Sequence, residues 1–255
     1  MQRVNYDLIA HLYDEPGRNY EADPNLISFL ELKSIRNPRI LDMGCGTGKQ
    51  LTANHTKFSE LQMVGLDLFL GMLQEAYKRC RKINWIQGDS TDPPFRCNSF
   101  DYITNQFSYH HLQNKVRMFT ETHWILKPGG RFVITNLDPW SMADWIVYQY
   151  FPASKQRDFF DFLPINVLSS EMQKAGFCNI QVKRVHNRSE ENLGEFLPYA
   201  SQRFRTSQLI AIQDREYEDG ITKLKAQIVK LGNNFRLPSE ICLVWVIGDK
   251  PEQKE

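Results

Sequence analysis

The stretch Arg39–Lys49, which reads R-I-L-D-M-G-C-G-T-G-K, constrains the fold of this chain more than any other. A short apolar run carries Asp42 near its end, and three glycines then alternate at Gly44, Gly46 and Gly48. This pattern predicts a buried strand that turns sharply into a helix. Because the glycines remove side chains from the turn, its backbone can approach a ligand closely.

A second acid, Asp67, ends the next apolar run, residues 63–67. It follows the glycine turn by about 20 residues, the spacing at which a carboxylate binds the ribose hydroxyls of a nucleotide. The dinucleotide pattern G-x-G-x-x-G is not completed, because Lys49 occupies the third glycine position. The phosphate-loop pattern also fails, since Met43 and Gln50 stand where glycine and serine or threonine are required.

Apolar runs and helical periodicities alternate along the chain, which favours a parallel sheet with helices on both faces. In such a fold the carboxyl ends of the strands meet at one ligand-binding crevice. Helices are expected at 69–81 and at 114–126, and the run Lys127–Gly130 is expected to form a turn. Strands are expected at 39–43, 63–67, 84–88, 100–105, 131–136, 178–185 and 240–247.

The pattern D-x-G-x-G-x-G followed by a ribose-binding acid resembles motif I of the class I S-adenosylmethionine-dependent methyltransferases. Three further segments resemble later motifs of that family in the same order: Trp85–Asp89, Phe100–Leu112 and Leu126–Ile134. The best match is to small-molecule methyltransferases, including those acting on ubiquinone precursors and trans-aconitate. The resemblance implies an α/β, Rossmann-like three-layer sandwich with helical cap insertions. Its sheet would be mostly parallel and seven-stranded, with an antiparallel last strand.

One methyltransferase domain is expected over residues 1–255, with a lid or helix at 1–36 and a cofactor-binding core at 37–136. The aromatic-rich segments 137–168 and 187–238 would be insertions that shape a substrate cap. The N-terminal pairs Tyr6-Asp7 and Tyr13-Asp14 resemble the element that folds over cofactor and substrate in this family.

The resemblance implies S-adenosyl-L-methionine as cofactor and S-adenosyl-L-homocysteine as product. The glycine turn, including Cys45, would approach the amino acid part of the cofactor, and Asp42 would order the turn or meet the cofactor's ammonium through water. Asp67 would accept both ribose hydroxyls. The remaining cofactor-binding candidates are Asp89 with Ser90 for the adenine amine, Leu68 and Met72 on the adenine faces, and the Asn105 carbonyl for the ammonium.

Methyl transfer from a sulfonium is an in-line displacement, so an enzyme needs a general base only when the acceptor starts protonated. His110 and His111 follow the fourth strand and are the candidate bases, with Tyr13 as a further catalytic candidate. Because adjacent helical residues point in different directions, at most one histidine is expected to face the site. No third ligand stands at metal spacing, so no metal is expected.

Composition excludes several other classes of protein. A net charge of +1 gives no footprint for nucleic acid, and Asp92–Phe95, D-P-P-F, reads as a turn before the fourth strand. Five scattered cysteines without a C-x-x-C pair indicate reduced thiols and a cytoplasmic location. No apolar run approaches a membrane span. Monomer and homodimer both remain open.

The expected function is methyl transfer from S-adenosylmethionine to a small-molecule acceptor, with oxygen or carbon favoured over nitrogen. Two alternatives remain. One is a nicotinamide-dependent oxidoreductase, against which Lys49 argues. The other is a catalytically silent methyltransferase-like binding module.

Overall fold

The structure is a computed structural model that describes residues 4–13, 20–142 and 144–252. Its strands are β1 (Arg39–Met43), β2 (Gln62–Asp67), β3 (Asn84–Gln87), β4 (Phe100–Gln106), β5 (Leu126–Leu137), β6 (Cys178–Asn192) and β7 (Arg236–Asp249). Its helices are α1 (Pro24–Lys33), α2 (Lys49–Lys57), α3 (Leu70–Arg79), α4 (Lys115–Ile125), α5 (Ile146–Tyr150), α6 (Pro152–Asp161), α7 (Ile165–Lys174), α8 (Leu193–Ala200), α9 (Ser207–Ala211) and α10 (Asp214–Leu231).

The strands form one sheet in the order β3-β2-β1-β4-β5-β7-β6. β1 pairs in parallel with β2 on one side and with β4 on the other. The strand order therefore reverses beside β1, which is where open α/β sheets bind ligands at the carboxyl ends of their strands. β7 runs antiparallel to β5, since Gly129 N–H donates to the Lys250 carbonyl and Asp138 N–H to the Cys242 carbonyl. The predicted fold class is confirmed.

β5 begins at Leu126 and includes the run Lys127–Gly130, for which a turn is predicted. The run is an irregular part of the strand, since Phe100 pairs with Leu126 but Tyr102 pairs with Arg131, and Gly129 has a φ of 74°. Gly129 N–H donates to the Lys250 carbonyl, and Lys250 N–H donates to the Gly130 carbonyl, so these bonds hold the irregular run in the sheet. β6 and β7 are longer than predicted, because the length of a strand depends on pairing partners that sequence periodicity does not show. α3 is shorter than predicted.

The chain divides into two compact units. The first, the core unit, comprises Asn5–Asn136, Ile165–Lys183 and the residues from Trp245 onward. Apolar side chains of α1, α2 and the first strands fill its interior on one side of the sheet, and each fully buried one contributes about 1.5–3 kcal/mol. Its fully buried members include Leu26, Phe29, Ile40, Leu51, Tyr102 and Val133.

The second unit comprises Leu137–Pro164 and Arg184–Val244. It has a hydrophobic core of its own, in which α5, α8, α9 and α10 bury apolar side chains. Gly220 on α10 lies against the ring of Phe151, and a Cβ at this glycine would come within 2.3 Å of the ring. The helices of the described residues include none with the length and apolar character needed to cross a membrane.

Candidate active site

The glycine turn joins β1 to α2, and all three glycines have positive φ. Their surroundings differ, however. A Cβ on Gly44 would lie 2.1 Å from Ser108 Oγ, and a Cβ on Gly48 would lie 2.5 Å from the Trp85 ring. A Cβ on Gly46 would meet nothing within 4 Å. Gly44 and Gly48 are therefore needed for close packing, whereas Gly46 is the glycine that leaves space for a ligand.

Asp67 lies at the end of β2 and holds the glycine turn in place. Its Oδ2 accepts the Gly46 N–H at 2.8 Å, and its Oδ1 accepts the Phe69 N–H at 2.9 Å. Burial raises the pKa of Asp67, while these backbone donors oppose the shift. A carboxylate has about four acceptor positions, so two N–H donors leave room for ribose hydroxyls.

Asp42 lies on β1 directly below the turn and is 3% exposed. Its Oδ1 is buried without a hydrogen-bond partner among the described residues. Burial, together with the nearby carboxylates of Asp23 and Asp67, raises the pKa of Asp42 to about 8. A buried acceptor of this kind fits the cationic ammonium of S-adenosylmethionine, directly or through water. The thiol of Cys45 is also buried, and its pKa is raised by burial.

The predicted adenine residues lie at the ends of β2 and β3. Asp89 Oδ1 accepts both the N–H and the hydroxyl of Thr91, at 2.8 and 2.9 Å, so Asp89 caps its own turn. Ser90 beside it is buried. Leu68 is half-buried, and Met72 is buried on the inner face of α3. These residues thus lie at the same edge of the sheet. Asp89 also caps a turn, and Met72 also packs on the inner face of α3.

Asn105, at the end of β4, fastens the next segment to the glycine turn. Its side-chain amide donates to the Met43 carbonyl at 2.7 Å and to Ser108 Oγ at 2.6 Å. Its Oδ1 accepts the N–H of Tyr109 at 2.9 Å, at the start of the 3-10 helix Tyr109–His111. The side chain of Asn105 therefore positions the two histidines relative to the glycine turn.

The two histidines lie together, with ring centroids 3.9 Å apart. His110 is buried, and its Nδ1 is 3.1 Å from Asn136 Nδ2 on β5. Burial and the neighbouring His111 and Lys115 hold the pKa of His110 well below its usual range. A neutral imidazole that accepts at Nδ1 carries its proton on Nε2. His110 therefore presents a donor there, whereas a general base must present a lone pair.

His111 is bound to the N-terminal segment. Its Nε2 is 3.0 Å from the Tyr6 hydroxyl, and the Tyr6 ring also contacts Phe69, whose N–H donates to Asp67. The Tyr13 ring lies edge-on against Tyr6, with centroids 5.8 Å apart. Asp14, the other half of the second predicted pair, lies outside the described residues.

Asp7 ties the same segment to the helix that follows Phe69. Its Oδ1 accepts the Gly71 N–H at 2.6 Å, within the first turn of α3. A Cβ on Gly71 would lie 3.2 Å from the Asp7 Cα, so the segment lies close against the helix. The N-terminal segment is therefore held at α3 and at His111.

Sequence reasoning missed Tyr6 as a partner of His111, Asn136 as the partner of His110, and Trp85 as the wall of the glycine turn. The Tyr-Asp pattern contained a signal for Tyr6, although Tyr13 was chosen as the catalytic candidate. Nothing in the sequence pairs Asn136 or Trp85 with its neighbour, because both contacts cross from one strand to a distant turn. Among the described residues, no group of three His, Cys, Asp or Glu side chains could hold a metal ion.

The sheet order and the position of the glycine turn beside β1 are those of α/β folds that bind nucleotides. Residues 41–134 match the family model described as a methyltransferase domain. A demethylmenaquinone methyltransferase from Renibacterium salmoninarum is 28% identical over 141 residues, covering 51% of this chain and 59% of that protein. One from Staphylococcus carnosus is 29% identical over 215 residues, covering 71% and 89%. The chain thus spans about three fifths of the first relative's length.

Two solved structures share the fold. A protein assigned as a methyltransferase from an antibiotic biosynthesis pathway of Anabaena variabilis superposes with a TM-score of 0.67 at 18% identity, covering 87% of this chain and 95% of that one. Phosphoethanolamine N-methyltransferase 2 of Haemonchus contortus, in complex with S-adenosyl-L-methionine, gives 0.59 at 20% identity, covering 96% and 57%. Residues 41–134 of this chain therefore resemble a methyltransferase domain, and the second of these two solved structures holds S-adenosyl-L-methionine.

Proposed function

We propose that this protein transfers the methyl group of S-adenosylmethionine to a small-molecule acceptor. The observation that carries the proposal is the environment of Gly46. The Gly46 N–H donates to Asp67, and the space that a side chain at Gly46 would fill is open. The backbone of the turn can therefore contact a ligand beside the proposed ribose-binding acid. Asp42, buried beneath the turn with an unsatisfied oxygen, supports a cationic amino acid moiety as the neighbouring group.

The cofactor supplies an electrophilic methyl group on a sulfonium, so the protein must orient the acceptor and, where needed, remove its proton. The Tyr6–His111 pair suits that proton transfer. In the tautomer of His111 that is protonated at Nδ1, the Tyr6 hydroxyl donates to Nε2, and the phenol oxygen can accept a hydrogen bond from an acceptor O–H. As the acceptor loses its proton to the Tyr6 oxygen, the phenol proton passes to Nε2. Burial keeps His110 neutral, so no positive charge lies beside His111 before the proton transfer.

The names of the relatives are what indicates an acceptor, so demethylmenaquinone is the first compound to assay. Oxygen or carbon remains the proposed methylated atom. The cytoplasm is the proposed location, which agrees with the five cysteines, all of which are free thiols.

Calorimetric titration with S-adenosylhomocysteine, with NADH in a parallel experiment, tests the cofactor site first. We expect micromolar binding of S-adenosylhomocysteine and none of NADH. Binding of NADH alone would favour the oxidoreductase alternative, because the glycine turn would then hold a dinucleotide.

Turnover is measured next, with demethylmenaquinone and S-adenosylmethionine. Mass spectrometry follows the methylated product, and formation of S-adenosylhomocysteine is followed in parallel. Cofactor binding with no turnover on this acceptor or on a panel of small phenols and carboxylic acids would favour the silent binding module.

A further inference from the structure

β6 is the last strand of the sheet, so the backbone on its outer side pairs with no other strand of the described residues. It runs for 15 residues without a proline, and side chains from Gln181 to Arg184 and from His186 to Glu190 are exposed. A long, exposed edge strand is a template for pairing with another strand.

Charged side chains normally prevent such pairing, because two copies of a like-charged edge repel each other. β6 instead carries both signs. Lys183 and Arg184 precede its midpoint, and Arg188, Glu190 and Glu191 follow it. Asn187 lies at the same distance in sequence from the two pairs.

Two identical antiparallel strands related by a two-fold axis place one residue opposite itself. With Asn187 at the axis, Lys183 lies opposite Glu191 and Arg184 lies opposite Glu190, and each such pair occurs twice. A shift of the axis to His186 would place Arg184 opposite Arg188. A shift to Arg188 would place Arg184 opposite Asn192, which is uncharged. With the axis at Ser189, Arg188 would lie opposite Glu190, which gives one kind of charge pair where the Asn187 register gives two. Cross-strand charge pairs therefore favour the Asn187 register.

We propose that β6 joins β6 of a second copy of this chain, antiparallel and centred on Asn187, to form a homodimer with a continuous sheet. Existing contacts within the strand fit this arrangement. Arg184 Nε contacts Asp138 Oδ2 at 2.8 Å, which leaves further guanidinium N–H groups for a second carboxylate. Glu240 on the neighbouring strand β7 contacts both His186 and Arg188, so these two side chains are paired within the chain. The Glu190 carbonyl accepts a hydrogen bond from Arg236.

Sedimentation analysis of the full chain over a concentration series tests the proposal. Lys183→Glu and Glu191→Lys each place like charges opposite each other twice, and each is expected to weaken dimerisation about tenfold or more. The double variant Lys183→Glu/Glu191→Lys restores both pairs and is expected to dimerise as the wild type does. A mixture of the two single variants should form a heterodimer, because each supplies the charge that the other lacks.

Lys225→Glu and Glu60→Lys are matched controls, since both side chains are exposed and lie outside β6. They should leave dimerisation unchanged. Arg184 is kept intact throughout because it pairs with the buried carboxylate of Asp138. A wild type that stays monomeric at every concentration overturns the proposal. So does a dimer that the single variants leave intact, or one that the double variant fails to restore.

Discussion

The glycine turn and the pair of histidines lie at the same edge of the sheet, but they are built in different ways. The turn is local: Gly44, Gly46 and Gly48 follow β1 directly, and the acid that fixes Gly46 ends the next strand. The histidine pair depends on distant parts of the chain. Tyr6 contacts His111 across 105 residues, and Asn136 contacts His110 across 26.

Because of this difference, cofactor binding and proton transfer depend on different parts of the molecule. A site for an activated cofactor needs backbone groups and one acid in a fixed order, which a short motif can encode. A proton-transfer site needs its base held in one orientation and one tautomer, and that requires partners brought in by the fold. Variants at the histidine pair should therefore change turnover, and variants at the turn should change cofactor affinity.

The largest effect is expected at the histidine pair. His111→Asn and Tyr6→Phe should each lower kcat by roughly 10²–10⁴-fold for an acceptor that starts protonated. Affinity for S-adenosylhomocysteine should stay within about twofold, since neither side chain belongs to the turn. Tyr77→Phe, on the exposed side of α3, is the matched control. Unchanged turnover in both variants would remove this pair from the mechanism.

Gly44→Ala should cost roughly 2–5 kcal/mol of folding stability, because the new Cβ would overlap Ser108 in a left-handed backbone conformation. Gly46→Ala has the same backbone cost but open space, so its stability loss should be about 1–2 kcal/mol while cofactor affinity still falls. Thermal denaturation and calorimetry measure both quantities. Equal loss of stability in the two variants would contradict the distinction between packing and ligand-facing glycines.

Asp67→Ala should weaken S-adenosylhomocysteine binding by roughly 2–4 kcal/mol, because the ribose hydroxyls and the Gly46 N–H lose a charged acceptor. Asp92→Ala, which removes an exposed acid paired with Arg117, should leave affinity unchanged. The measurement is calorimetric titration at constant ionic strength. If Asp67→Ala binds as tightly as the wild type, the ribose is held elsewhere.

The smallest effect concerns pH. The pKa of Asp42 is about 8 in the folded chain, above its ordinary value of 3.8, so the folded state binds a proton that the unfolded state releases. The contribution of Asp42 to the free energy of unfolding is therefore fully present below about pH 4 and is lost as the pH rises towards about 8. Between pH 5 and 7 this group should account for on the order of 2 kcal/mol. Asp42→Asn should flatten that dependence in urea denaturation; an unchanged pH profile would show that Asp42 does not carry the proton.

Much of the fold was predictable because strand–helix alternation and turn residues act locally. The strands β1, β2 and β4 lie within a residue or so of their predicted bounds. The run Lys127–Gly130 forms an irregular part of β5 rather than a separate turn, because hydrogen bonds with Lys250 hold it in the sheet. The proposed cofactor residues could be named together for the same local reason, although the motif alone does not show that Gly44 and Gly48 serve packing against Ser108 and Trp85.

The sequence by itself determined the class of fold, the position of the glycine turn and the acid that follows it at the end of β2, because each depends on residues close together in the chain. Only the tertiary structure decided which histidine meets a tyrosine and which is held neutral. Hydrogen bonds and burial that set tautomer and pKa arise between segments that meet only after the sheet has formed. The tertiary structure also decides that β6 is an edge strand, and only an edge strand can pair its charges with those of a second copy.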